Sequence, residues 1–385
     1  MGGGGQYNGF VLTMHFILPK HFYLLDIVKG LAILKVILWH WQHFFYPYHS
    51  VGPGFDRVSQ PLYCLLYIFY EPSKATIPFF FSLSGFTFFW LYSARVAKGT
   101  ISSKTFFLSR LARLYALHIV TLVAVAVGQC VYSGMTHASF VYSNNDVVHF
   151  IMNLFLVSAW GRDVGFSFNG PVWLLSVQML MYILFYVFCR NFNRNAMALV
   201  VVMILGSFLA QNVFIALGIK YFFFGGILFV VYERIVSTDD PWKVSIWLPF
   251  VTAALWFVTL LVKHPYIHLI PEINSLCQKP VLSNWAVVVL LPLTILSLAL
   301  WQAKKSQAGQ RFSKIGDITY SMYLLHFPLQ LLAVIGVVHF NVDPQVFNRL
   351  AFMILFFMAL VLASWISRQY FETPIKKHLL SGLAR

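Results

Sequence analysis

The residues best placed to do chemistry lie in one apolar run, LLDIVKGLAILKVILWHWQHFF, at residues 24–45. An ionisable side chain inside such a run is costly to bury, so its presence marks a functional position. Lys29 and His40 are eleven residues apart. On an α-helix that leaves them about 20° apart around the axis and about 16 Å apart along it. One face therefore carries a cation toward one end and an imidazole toward the other. Asp26, three residues before Lys29, lies close enough on that face to pair with it. Lys35 points elsewhere, toward snorkelling or a polar contact with another helix. Imidazole titrates near neutrality, so His40 suits proton transfer.

Other positions could serve the same site. His43, His118 and His326 also fall in apolar stretches. Arg110 and Arg113 stand three apart at a helix entrance, where both can face one phosphate group. Tyr320, Tyr323 and His326 recur at spacings of three and share a helix face, and Pro328 opens that helix and frees a carbonyl. Ser84 and Gly85 suit close helix packing. Asp26 is the one acid clearly inside an apolar run, with Asp317 at the start of another, so proton transport along a carboxylate chain has little material. There is no GxxxxGK[ST] phosphate loop. Cys64, Cys130, Cys189 and Cys277 show no metal-ligand spacing and are expected as small core residues, with no metal required.

The elements that must position these residues are membrane helices. Of the 385 residues, 59% are apolar or aromatic and 10% are charged, and mean hydropathy is +0.74. Soluble domains carry about 25% charged residues, so this chain cannot build a water-facing surface. Disorder, a disulfide scaffold and a nucleic-acid-binding domain are excluded. The fold class is an all-α integral membrane protein with about ten transmembrane helices. They are expected at 24–45, 76–93, 114–132, 171–189, 196–214, 217–232, 244–262, 284–302, 316–340 and 347–369, each near the roughly 20 residues a crossing needs. The shorter run 147–160 is read as a re-entrant or interfacial segment. With the N-terminus inside, eighteen of the 27 Lys and Arg fall on the cytoplasmic side and seven outside, so both termini are expected in the cytoplasm. Residues 1–20 and 379–385 are read as cytoplasmic tails around a membrane domain at 21–378. The tail carries neither the Ser or Thr of a myristoylation signal nor a signal-peptide pattern.

DIVKGLAILKVILWH resembles the opening signature of the acyltransferase-3 family of integral membrane acyltransferases, in which Arg or Lys, ten residues and His stand on the first helix. Four further segments look like that family in the same order: FFFSLSGFTFFWL at 79–91, FFLSRLARLYAL at 106–117, NGPVWLLSVQMLMY at 169–182 and GDITYSMYLLHFPL at 316–329. The chain also closes like the family, with FETPIKK at 371–377. Two departures stand out. Lys29 replaces the common Arg, a point charge in place of a bidentate fork. Gln178 stands where the tryptophan motif often has Glu, and cannot accept a proton at neutral pH.

The resemblance implies transfer of an acyl group, usually acetyl from acetyl-CoA, to a hydroxyl of an extracytoplasmic polysaccharide or glycolipid. It implies a multi-pass protein, in the cytoplasmic (inner) membrane if the source is bacterial. The expected partners are acyl-CoA, a carbohydrate acceptor and membrane lipid, not nucleic acid. In that scheme His40 is the general base, Lys29 orients the donor or the polar core, and Asp26 holds Lys29. Arg110 and Arg113 take the CoA phosphates, while Trp173, Gln178, Tyr320, Tyr323 and His326 line the substrate path. Two other readings are a transporter or flippase of a lipid-linked glycan, and a membrane acyltransferase acting on lipid or protein hydroxyls.

Overall fold

A computed structural model describes residues 19–46, 52, 55–161, 165–209, 212–238, 240–264 and 284–381. Its elements are helices throughout the described residues. The first, α1 (Tyr23–Trp39), tightens into a 3-10 turn at His40–Phe45. A short α2 (Tyr63–Tyr70) follows, then α3 (Thr76–Phe88), which passes through a π-helical stretch into α4 (Ala94–Ala97). Next come α5 (Ser103–Thr136), α6 (Val147–Leu154), α7 (Trp173–Phe192), α8 (Ala196–Leu209), α9 (Val213–Val236) and α10 (Pro241–Val262). The chain ends with α11 (Leu291–Lys304), α12 (Ser313–His339), α13 (Leu350–Ile366) and α14 (Thr373–Ser381).

Among the described residues, eight helical stretches are long and apolar enough to cross a membrane: Thr76–Ala97, Ser103–Thr136, Gly170–Phe192, Val213–Val236, Lys243–Val262, Ala286–Lys304, Gln310–His339 and Leu350–Leu379. Each covers one of the ten expected spans. The other two expected spans correspond to α1 with its 3-10 extension and to α8. The 14 residues of α8 span about 21 Å, less than the roughly 30 Å of a hydrocarbon core. The expected break between the fifth and sixth spans is displaced because Asn212 caps α9, its Oδ1 accepting from the N–H groups of Phe214 at 2.8 Å and Ile215 at 3.2 Å. α6 has only eight residues, too few to cross, and Asp146 caps it through the N–H of His149 at 2.9 Å. Residues 103–113, expected as loop, are instead the start of α5, with Ser102 as its N-cap.

Lys35 makes the polar contact open to it. Its Nζ donates to the carbonyls of Ile68 at 2.6 Å and Glu71 at 2.7 Å, capping the C-terminal end of α2. Of the cysteines, Cys189 is buried while Cys64 and Cys130 are exposed, and so are not core residues; Cys277 lies outside the described residues.

α12 is the central helix, packed against α1, α5 and α13. Gly128 of α5 takes Leu331 of α12 into its surface. α3 packs closely on α9. A Cβ on Gly85 would strike the backbone carbonyl of Phe222, and one on Gly225 would strike that of Ser82. Gly85→Ala therefore has to displace backbone and should cost about 1–3 kcal/mol, lowering the melting temperature in detergent. Gly134→Ala, with nothing within 4 Å, should leave it unchanged; equal melting of the two variants would contradict this packing.

Candidate active site

α1 and α12 run parallel and in register. Gly316 faces Asp26, where an added Cβ would come 2.7 Å from the Asp26 Cβ. Fourteen residues on, Gln330 Nε2 donates to the His40 carbonyl at 2.9 Å, again with an offset of 290. The two helices thus stay side by side for about 21 Å, which sets the two ends of the site.

At the far end of α1 three histidines meet. His40 Nδ1 lies 2.9 Å from His326 Nε2, with the rings nearly parallel at 9° and centroids 5.2 Å apart. His43 stacks on His40 with ring centres 4.6 Å apart. The 3-10 turn explains that stack, since it eclipses residues three apart. His326 is fully buried, and its Nδ1 lies 2.6 Å from the Tyr323 carbonyl. His43 is buried too, its Nδ1 without a partner among the described residues. His40 is half-buried, and no hydrogen bond to its Nε2 is found among the described residues. Tyr142 and Phe327 stand edge-on to His43 at 6.0 and 5.8 Å.

The segment after residue 168 braces this cluster. Pro328 has no N–H, so it leaves the Leu324 carbonyl without a helical donor. Asn169 Nδ2 supplies one at 3.1 Å. Two residues on, the Pro171 carbonyl accepts from the Tyr323 hydroxyl. Gly170 is needed between them because a Cβ there would run into the ring of Tyr142.

The near end is cationic. Arg110 donates to the Tyr92 hydroxyl at 2.6 Å and lies over the rings of Tyr92 and Phe88. Arg113, one turn on, is exposed. Lys376 sits within the fields of Arg113, Arg368 and Arg110. Lys29 in turn feels Arg113, Asp26, Asp317 and Arg368. Arg368 is 3.7 Å from Asp317. Glu372, buried at the end of the π-helical stretch Ser367–Glu372, accepts from Ser321 at 2.6 Å and Ser367 at 2.8 Å. The near end therefore gathers cations from α1, α5 and the C-terminal segment, with fewer carboxylates among them, and has the charge of an anion site.

The expected site residues do not all converge. His40 and His326 meet, and Lys29 joins Arg113 near Arg110. Asp26 is bonded to His21 at 2.5 Å, not to Lys29, whose charge it reaches only through space. Both ring nitrogens of His326 are engaged inside the protein, so neither is left for a substrate. The Tyr320 hydroxyl donates to the Leu114 carbonyl at 2.6 Å; with Tyr323 on Pro171, both hydroxyls tie helices together. Trp173 packs on Phe214 at 4.5 Å, in an aromatic group with Phe166. Gln178 is buried, its Nε2 unpartnered among the described residues. Arg368, Lys376, Tyr142 and Gln330 were not anticipated as site residues. His43 carried the only sequence signal among the additions, its position one 3-10 turn beyond His40.

A family profile described as an acyltransferase domain matches residues 22–368. Over 108 residues the chain is 32% identical to a protein of Rhizobium radiobacter named "Protein 2 in picA locus", a match covering 28% of this chain and 46% of that protein. The chain thus spans under half the length of that relative. No solved structure matches.

The Asn169 brace gives a direct test. Asn169→Ala leaves the buried Leu324 carbonyl unpaired and should cost about 1–3 kcal/mol in thermal unfolding. Pro328→Ala restores a helical N–H to that carbonyl, so in its background Asn169→Ala should cost much less. Additive losses would contradict the brace.

Proposed function

From the premise that the chain belongs to the acyltransferase family whose profile covers residues 22–368, we propose that it is an O-acyltransferase. It moves an acyl group, acetyl in the simplest case, from acyl-CoA to a hydroxyl of an extracytoplasmic carbohydrate. One observation carries the reading: a half-buried imidazole, with a ring nitrogen unengaged among the described residues, and a cationic cluster stand at opposite ends of one in-register helix pair. The excess of Lys and Arg expected on the side of this cationic cluster supports reading it as a cytoplasmic mouth, with both termini on the same side.

The donor set suits a polyphosphate ligand. Arg113 is exposed, and Arg113, Arg368 and Arg110 all act through space on Lys376. Lys29 lies deeper on α1 and draws the thioester end toward the histidines. About 16 Å separates Lys29 from His40, so an arm entering from the mouth reacts toward the opposite half of the protein. There the acceptor hydroxyl attacks the thioester carbonyl carbon while His40 Nε2 takes its proton. A C–O bond forms, the C–S bond breaks, and the proton passes from His40 to the departing thiolate. CoA leaves by the mouth and the ester stays outside.

Radiolabelled acetyl transfer from acetyl-CoA in membranes tests this. His40→Ala should lower turnover at least about 100-fold, the lower range for loss of a general base. Arg113→Ala should raise the KM for acyl-CoA about tenfold, as loss of a charge-assisted phosphate contact would, and leave that for the acceptor unchanged. Full activity in His40→Ala would overturn the mechanism. Acceptor movement without any CoA dependence would indicate a transporter instead.

A further inference from the structure

Three ring nitrogens, one of His40 and two of His326, have no assigned work in that scheme, and their order is informative. The Tyr323 carbonyl can only accept, so His326 Nδ1, 2.6 Å away, must donate to it. A neutral His326 then presents an unprotonated Nε2. Among the described residues the group facing that lone pair is His40 Nδ1 at 2.9 Å, which must therefore carry a hydrogen. A neutral imidazole holds one N–H, so the remaining nitrogen of His40, Nε2, keeps its lone pair.

We propose that His326 is a positioning residue that fixes the tautomer of His40 and so makes His40 Nε2 the base. This rests on the acyltransferase reading with His40 as base, and it replaces the expectation that His326 touches substrate. The chain of bonds has a rigid origin. The Tyr323 carbonyl belongs to the helix that carries His326, and the Tyr323 side chain is itself bonded to Pro171. Full burial of His326 keeps water from competing for either nitrogen. The bonded nitrogens are 2.9 Å apart and the ring centres 5.2 Å apart at an angle of 9°, an end-to-end arrangement that puts the bond close to the imidazole plane, where a ring N–H is directed. When His40 takes the acceptor's proton at Nε2, its Nδ1–H bond to His326 persists and strengthens, because the donor has become charged. The role corresponds to that of an acceptor that orients a catalytic histidine from behind, here supplied by a neutral imidazole and not a carboxylate.

Two amides separate this role from simple packing. The Oε1 of glutamine can occupy the place of imidazole Nε2, whereas the Oδ1 of asparagine reaches only the place of Nδ1. His326→Gln should keep a third or more of the wild-type kcat. His326→Asn should lose about 30-fold or more in kcat, with the KM for acyl-CoA within twofold and an unchanged melting temperature. Equal kcat in the two variants, whether both high or both low, would overturn the proposal. So would a loss in His326→Asn carried by KM. His40→Ala, measured alongside, separates the two claims. If it is fully active, the base reading itself fails; if it is inactive while the two amides behave alike, only the role of His326 fails.

Discussion

The site depends on one contact, the in-register packing of α1 on α12. Gly316 lets α12 close on α1 at Asp26, and Gln330 pins the His40 carbonyl fourteen residues further along. Between those points the helices cannot slide independently. A shift of one residue would turn His40 by about 100° and move it about 1.5 Å, enough to break its bond to His326. The same register holds Lys29 beside Asp317 and Arg368. The half-buried imidazole and the cationic end are therefore set by a single geometric constraint.

The polar bonds around α12 serve that constraint. Tyr320 ties it to α5 through Leu114, Ser321 to the C-terminal segment through Glu372, and Leu324 and Tyr323 to the segment before α7. In a hydrocarbon setting no water competes for these groups, so each backbone or side-chain partner must come from the protein. Pro328 shows the logic most clearly. It removes one internal bond of α12, and the vacancy becomes the attachment point for Asn169. Several residues that resemble substrate-lining groups on a helical wheel are in fact the fastenings that hold the histidines in place.

Much of this was legible along the chain where the signal was local. The shared face of Lys29 and His40, the carbonyl freed by Pro328, the close approach at Gly85 and most helix limits follow from spacing and residue chemistry. What was not legible depends on tertiary contact. The His40–His326 bond joins residues 286 apart, and spacing within α12 alone suggested a lining role. Asp26 meets His21, which lies ahead of the first residue of α1, where helical spacing does not apply. Arg368 and Lys376 read as ordinary positive-inside residues until α14 was seen against α5. The displaced start of α9 was in the sequence as Asn212, a capping residue outweighed by the apolar run around it.

The central claim is that one column carries an acyl group from a cationic mouth to a histidine on the opposite side. Its most direct test uses sealed vesicles holding the purified protein in one known orientation. Labelled acyl-CoA is confined to the side bearing Arg113, and the carbohydrate acceptor to the other. Acylated product should accumulate on the acceptor side, and exchanging the two compartments should abolish it. Equal transfer in both arrangements, or product only when donor and acceptor share a side, would contradict the account.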